Sequence, residues 1–269
     1  MKRWLCRLLA AIYVIFSGEA VNATKPSSHF RPIVAGELFQ QKADRAYILA
    51  RCMAAWEPCA IPMFLRLPSA DEVNYFQSAK LEAWKKKGGK IALADFSFEL
   101  PDINNLYYVD TKNALERDAV GSTYLIETDP GTYVIYGLGN KLSMAVCLCL
   151  GSIKFSAKAG DITDVGTFLS SRASEPPLYP ELAEVTDLGP TFDMDFPLPA
   201  IALRPVSAND RLPSMLRAFP RVAAQFHAVG PFFEASARLI TRLAPFPGVL
   251  AYKRGAVIDV RSGEELPSR

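Results

Sequence analysis

The cysteines are the residues whose type and spacing could most readily do chemistry. Cys52 and Cys59 lie on either side of a proline-containing turn, which could bring them opposite each other, so this spacing predicts a disulfide. Cys147 and Cys149 lie within the apolar run "SMAVCLCLGSIKF". In an extended strand their Cα atoms would be roughly 6.6 Å apart with parallel side chains. We therefore expect Cys147 and Cys149 to pack as buried thiols, while a long-range bond between the two pairs stays an alternative.

Thiolates can also bind zinc or copper(I), which makes a soft-metal site the second interpretation of the cysteines. Zinc sites usually place C-x₂-C on a knuckle, whereas this chain has C-x-C in a strand-like run. We therefore predict no metal site and no cofactor. A soft-metal carrier that uses all four cysteines remains an alternative function, and its ligands would be Cys52, Cys59, Cys147 and Cys149.

His227 is the only histidine well inside the region expected to fold. It could act as the general base of a hydrolase if a serine and a carboxylate met it in space. The chain has no G-x-S-x-G elbow, so we assign no catalytic residue and expect His227 to be a hydrogen-bonded core residue. Arg238 and Arg242 follow at helical spacing, and with His227 they form a candidate polar site.

The charge balance argues against nucleic-acid binding. The 269 residues carry a formal net charge of +2, and the longest basic run is Lys85-Lys86-Lys87. Nucleic-acid binding needs a clustered basic face. The three lysines fall in the last turn of an expected helix, where cations suit the helix dipole, so we interpret them as a solvated helix end.

The N-terminus has the pattern of a signal peptide over residues 1–23. Basic residues precede a short apolar run, Leu8 to Phe16, and the small residues Val21 and Ala23 follow it. An uncleaved anchor is the alternative. No later segment is long and apolar enough to span a bilayer. We therefore expect an exported protein, periplasmic or secreted, in an oxidising compartment that favours disulfides.

The pattern of elements predicts a mainly β fold. Residues 24–36 are expected to be a flexible lead-in, and residues 37–170 an antiparallel sandwich-like domain of short strands with one inserted helix at 69–87. Ser69 and Glu72 have the spacing of a capping box at the start of that helix. Residues 171–269 are predicted to be a proline-rich region that packs on the sandwich and ends in a β-hairpin around Arg254.

The turn motifs carry one resemblance. Asp129-Pro130-Gly131-Thr132-Tyr133, followed by "FSAKAGDITDVGTF", resembles exported β-sandwich proteins of the bacterial envelope and transthyretin-like accessory domains. The resemblance covers about residues 122–169, and its motifs are structural turns. It implies a module that binds or braces, and it supplies no catalytic residue.

These observations favour an exported, non-catalytic envelope or secreted protein that acts through a binding surface. Its partner would be a protein or another envelope component. The alternatives are a secreted hydrolase that uses His227 and the soft-metal carrier described above.

Overall fold

The computed structural model describes residues 29–54, 61–99, 105–118, 121–139, 146–172, 179–183, 199–232 and 239–268. Among these residues β-structure dominates, which confirms the mainly β prediction. In chain order the elements are β1 (Phe30–Ile33), β2 (Ala46–Ala54), β3 (Ile61–Leu67), α1 (Ala70–Lys86), β4 (Leu106–Tyr108), β5 (Glu116–Arg117), β6 (Gly121–Thr128), β7 (Gly131–Gly139), β8 (Val146–Cys147), β9 (Ser152–Ala157), β10 (Ile162–Arg172), β11 (Pro199–Arg204), β12 (Arg221–Ala223), β13 (His227–Val229), β14 (Leu239–Ile240), β15 (Leu250–Lys253) and β16 (Ala256–Asp259). Short 3-10 helices cover Thr111–Asn113, Pro180–Leu182 and Ser214–Leu216.

Two mixed sheets carry most of these strands. Sheet A has the order β1-β6-β2-β10-β11, with β5 also paired to β6 and β12 to β10. Sheet B has the order β13-β9-β7-β3-β4, with β8 paired to β7 and β14 to β8. Most pairs are antiparallel, but β10 runs parallel to β2 and to β12, and β14 runs parallel to β8.

The main core lies between the two sheets. Along β2, Ala46, Ile48, Ala50 and Cys52 belong to this core, while the alternating residues Tyr47 and Leu49 belong to a second apolar cluster. Because successive side chains of a strand point to opposite faces, the second cluster covers the other face of sheet A, which we call its outer face. A strand that is buried on both faces reads as a continuous apolar run, and β2 does so except at Arg51.

The chain passes from sheet A to sheet B at Asp129 and Pro130, between β6 and β7. The Tyr133 hydroxyl fixes this corner, because it hydrogen-bonds the Asp129 carbonyl oxygen at 2.5 Å and Thr128 Oγ1 at 2.7 Å. Burial raises the pKa of Tyr133, so the hydroxyl stays protonated. The expected turn is therefore present, and it connects two sheets.

The helix α1 begins as the sequence predicts. Ser69 is its N-cap, and the capping box with Glu72 is formed. Arg66 at the end of β3 makes two hydrogen bonds to the Glu72 carboxylate, which ties the first turn of α1 to sheet B. The structure describes every residue of α1, and none of them is buried.

Three predicted segments differ in the structure. The lead-in 24–36 contains β1, an ordered edge strand of sheet A. The run "IALADFSFEL", residues 91–100, has the composition of one of the expected short strands, but its described part, 91–99, contains a turn and no strand. Phe98 of this segment packs on Phe76 of α1. The C-terminal third does more than pack on a sandwich, because β11 and β12 join sheet A and β13 and β14 join sheet B. The predicted C-terminal hairpin is confirmed as β15 and β16.

Candidate functional site

A cleft of about 180 Å³, open to solvent, lies on the outer face of sheet A. Strands β2, β5, β6, β10 and β11 contribute to it, together with the segment that follows β11. Its polar side chains are those of Arg51, Glu116, Asp118, Ser122, Thr123, Thr167, Arg204, Asn209, Asp210 and Arg211. Cationic and anionic groups are therefore interspersed along its lining.

A β-bulge in β10 positions the floor of this cleft. The register between β10 and β2 shifts between Asp164 and Thr167, where Gly166 has a φ of 88°. The extra residue lets Asp164 and Thr167 both point to the outer face, whereas Val165 and Phe168 both point into the main core. A Cβ on Gly166 would lie 2.2 Å from the carbonyl oxygen of Arg204, so only glycine fits here.

Arg51 is held by this bulge. Its Nη1 and Nη2 donate to the two carboxylate oxygens of Asp164 at 3.1 and 2.7 Å, and its Nε donates to Thr167 Oγ1 at 3.2 Å. Such a two-point contact fixes the plane of a guanidinium group. Arg51 is 7% exposed and Asp164 is fully buried, so this pair forms a rigid floor.

Two further charges complete the floor. Arg221 on β12 donates to the Asp164 carboxylate at 2.6 Å, and Arg51 donates a further hydrogen bond to Asp210 at 3.0 Å. Asp210 also accepts from the backbone N–H of Ser207. Two guanidinium groups thus meet two carboxylates, and the charges of this network balance.

The rim of the cleft is looser than its floor. Arg211 is 73% exposed and lies 3.2 Å from an Asp118 oxygen and 3.4 Å from a Glu116 oxygen. Exposed pairs of this kind contribute about 0–1 kcal/mol, so a ligand could displace them at little cost. Arg204 is held more firmly, because it makes a bidentate contact with Glu181. The same contact lowers the pKa of the Glu181 carboxyl.

A second buried carboxylate lies on the same face of sheet A. Glu127 is fully buried, and its oxygens accept from His29 at 2.8 Å, Lys42 at 3.0 Å and Arg31 at 3.1 Å. Burial alone would raise the pKa of Glu127, but these hydrogen bonds outweigh it and lower the pKa to about 2. Neighbouring Asp129 pairs with Arg45. This cluster fastens β1 and the segment after it to the sheet.

The structure corrects the expectation that Cys147 and Cys149 are unbonded thiols. They are buried, as predicted, but they form a disulfide with Cα atoms 5.1 Å apart. Strand β8 ends at Cys147, and Cys149 already belongs to a turn, so the fully extended spacing that argued against the bond does not apply.

Cys52 is also disulfide-bonded. Its expected partner Cys59 lies outside the described residues, so the Cys52–Cys59 pairing stays a prediction. Disulfide sulfurs do not supply the thiolates that a soft-metal site requires, so the cysteines as bonded here do not favour the metal-carrier alternative.

The candidate polar site of His227, Arg238 and Arg242 is not assembled by the residues that the structure describes. His227 is exposed on β13 opposite Lys154, which corrects the expectation of a core histidine. Arg242 is half-buried, and its guanidinium lies 4.4 Å from the centre of the Tyr252 ring. Arg238 lies outside the described residues. His227 belongs to sheet B, whereas the cleft lies on sheet A.

Sequence reasoning missed the residues that form the cleft. Arg51 and Asp164 are 113 positions apart, and each lies in a run that reads as an ordinary strand. The charged residues inside those apolar strands were the available signal, because a charge is almost never fully buried unless it is paired.

The cleft can bind through charge and hydrogen bonds. None of its described lining residues is a histidine, and Thr167 already accepts a hydrogen bond from Arg51. Within the described ranges, no three His, Cys, Asp or Glu side chains are grouped so that they could hold a metal ion. No helix in the described part of the chain has the length and apolarity needed to cross a bilayer.

No protein-family model, curated protein or solved structure matches the chain. The resemblance to transthyretin-like envelope modules therefore stays a prediction.

Proposed function

We propose that this chain is an exported, non-catalytic protein that binds a polar, charged ligand in the cleft on the outer face of sheet A. One observation carries the proposal: a rigid, charge-balanced floor lies beneath an exposed rim. Buried ion pairs cost desolvation energy and often add no net stability, so a network of this kind is weak evidence for a purely structural role. A binding site needs fixed polar groups, which Arg51 and Asp210 supply.

The mixed charges of the cleft favour a ligand that offers both an anionic group and hydrogen-bond donors. Arg211 could donate hydrogen bonds to a ligand carboxylate in place of its contacts with Asp118 and Glu116. The Glu116 carboxylate at the rim could then accept from the ligand's donors. A short peptide or an amino acid has this chemistry. A uniformly anionic ligand suits the lining less well.

Export is supported by the N-terminal pattern and by the cysteines. Residues 1–23 have the order of a signal peptide. Cys52, Cys147 and Cys149 are disulfide-bonded, which is typical of proteins that leave the reducing cytosol.

Cell fractionation tests the export. The chain is expressed in a bacterial host, and we expect the product outside the cytosol with an N-terminus near residue 24. A variant with Leu9→Arg and Val14→Arg in the apolar run should stay in the cytosol at its full length. Cytosolic, unprocessed protein from the unaltered chain would contradict the export.

NMR titration tests the binding. Glycylglycine, succinate and sucrose are added separately, and the backbone amides of Thr123 and Thr167 report on the cleft. We expect glycylglycine to shift these signals most, and Arg211→Ala to weaken the effect. Arg261→Ala is the control, because Arg261 is exposed and follows the C-terminal hairpin.

Chemical shift changes that persist undiminished in Arg211→Ala would contradict the assignment of binding to the cleft. Turnover of any of the three probes would contradict a non-catalytic role.

A further inference from the structure

The end of α1 and the turn after it carry a surface with a second possible use. We call this surface the lysine tip and define it as Lys85, Lys86, Lys87 and Lys90 together with Trp84 and Ile91. All four lysines are exposed, and so is Ile91, at 52%. Cationic and apolar groups are therefore presented together.

The charge of the lysine tip is largely uncompensated. Residues 80–95 contain five lysines and two carboxylates, which leaves a formal charge of +3. Lys85 pairs with Glu82 at 2.8 Å. Lys86, Lys87 and Lys90 form no ion pair with a carboxylate of the described residues.

The apolar part of the tip is held in place. Trp84 donates its indole N–H to the carbonyl oxygen of Ile91 at 2.7 Å, which folds the turn back onto the helix. Lys87 lies 5.5 Å from the centre of the Phe96 ring, so aromatic and cationic groups are interleaved. Trp84 stays half-exposed.

We infer that the lysine tip docks on the surface of an anionic phospholipid membrane. Charge complementarity favours this occupant, because each lysine near an anionic bilayer contributes about fivefold to the binding constant. Tryptophan suits the boundary between headgroups and acyl chains, and an exposed isoleucine can insert there. An acidic protein partner would pair with the lysines, but its acidic surface would not account for the exposed Ile91 beside them. The inference is independent of the cleft, which lies on sheet A.

Vesicle flotation tests the inference, with the protein in the form that the expressing cell releases. Vesicles of phosphatidylcholine with phosphatidylglycerol are compared with vesicles of phosphatidylcholine alone. We expect binding to the anionic vesicles only, and weaker binding as salt is added. The triple variant Lys86→Gln/Lys87→Gln/Lys90→Gln should bind on the order of 100-fold more weakly. Ile91→Ser should weaken binding with little change in salt dependence.

A matched control removes three exposed cations elsewhere. Lys158→Gln/Lys253→Gln/Arg261→Gln gives the same change of net charge and should bind as the unaltered protein does. Far-UV circular dichroism verifies that both triple variants are folded. If residues 1–23 were retained, they would bind vesicles equally well in every variant. The comparison of the two triple variants therefore separates the effect of residues 1–23 from that of the lysine tip.

Three results would each overturn the inference: equal binding by the two triple variants, equal binding to the two kinds of vesicle, and an absence of vesicle binding. If the third result came with lysine-dependent binding to polyglutamate, it would assign the tip to an acidic protein partner.

Discussion

Asp164 is the residue on which the floor of the cleft depends. Its carboxylate meets the guanidinium groups of Arg51 and Arg221 in a fully buried position. Asp164→Asn keeps the shape but leaves two cations without their common partner. We expect a loss of about 3–5 kcal/mol in the free energy of unfolding, measured by urea denaturation.

The matched control is Asp118→Asn at the rim. Asp118 pairs with the exposed Arg211, so its loss should cost at most about 1 kcal/mol. Equal losses in the two variants would mean that Asp164 is no more important than a surface carboxylate.

Glu127 gives the stability a defined dependence on pH. Its pKa of about 2 in the folded protein lies below the ordinary glutamate value of 4.5, so its contribution to stability is present above pH 4.5 and is lost as the pH falls towards 2. A shift of this size corresponds to about 3 kcal/mol. We expect the free energy of unfolding to fall over this range, as measured by urea denaturation at successive pH values.

Glu127→Gln should remove that part of the pH dependence. Other carboxyls with lowered pKa values, such as Glu72 and Glu181, remain in the variant and provide the background. The free energy of unfolding is plotted against pH for the unaltered protein and for Glu127→Gln, and the difference between the two curves isolates the contribution of Glu127. Parallel curves from pH 4.5 to 2 would show that its pKa is not lowered.

Residue-scale prediction from the sequence succeeded for local features only. The capping box of Ser69 and Glu72 has a fixed spacing, so it could be found by reading the chain. The partners of Arg51 are set by sheet pairing across more than a hundred residues, which no local spacing records. The Cys147–Cys149 disulfide was missed because the extended geometry assumed there ends at Cys147.

At the scale of elements, the bulge in β10 is the feature that most needs its glycine. Gly166→Ala would place a methyl group 2.2 Å from the Arg204 carbonyl oxygen at a φ of 88°. We expect a loss of about 2–5 kcal/mol from backbone strain and overpacking together, measured by urea denaturation.

Gly160→Ala separates the strain from the clash. Gly160 has a similar φ of 77°, but a Cβ there would lie 3.6 Å from its nearest atom. The loss should therefore be smaller, about 1 kcal/mol. If Gly160→Ala cost as much as Gly166→Ala, the close approach to Arg204 would not be the cause.

Elements with a clear local pattern were predicted, and ambiguous ones were not. The helix predicted at 69–87 is present as α1. The runs "RAYILARCMAA", "TYVIYGL" and "ITDVGTFL", which have the pattern of strands, form β2, β7 and β10. Residues 91–99 have the composition of a strand, but Phe96 and Phe98 stack on each other and Phe98 packs on α1. Tertiary packing decides whether such a segment forms a strand, and the periodicity of its apolar residues alone does not predict the outcome.

At the scale of the whole molecule, the number of free thiols is the simplest prediction. Removal of residues 1–23 would also remove Cys6 and leave four cysteines. With Cys147 bonded to Cys149 and Cys52 to Cys59, we expect no alkylated thiol before reduction and four after it. Intact mass spectrometry of the protein that the expressing cell releases measures both states.

Two thiols alkylated before reduction would show that one of the two disulfides is absent, and peptide mapping would identify it. Four thiols alkylated before reduction would contradict both disulfides and would again favour the soft-metal alternative. Alkylation under denaturing conditions serves as the control, because Cys147 and Cys149 are buried in the folded protein.

The fold class could be predicted from the sequence, but the assembly of the sheets could not. Short strands separated by turn residues indicate a sandwich or barrel. Which strands become neighbours depends on pairings such as β2 with β10, whose members are far apart in the chain. The proline-punctuated C-terminal third gave no sign that β11 and β13 would extend both sheets.

The pairing of β2 with β10 also bears on how fast the chain folds. Sheet A cannot close until a strand from near residue 46 meets one from near residue 162, and β11 must follow. Folding rates fall as contacts become more distant in sequence, because the entropy of closing each loop is lost before the contact forms. A chain with this topology should therefore remain unfolded for longer after synthesis than a helical bundle of equal length. Such a delay would suit the proposed export, in which the chain would cross a membrane in unfolded form and acquire its disulfides on the far side.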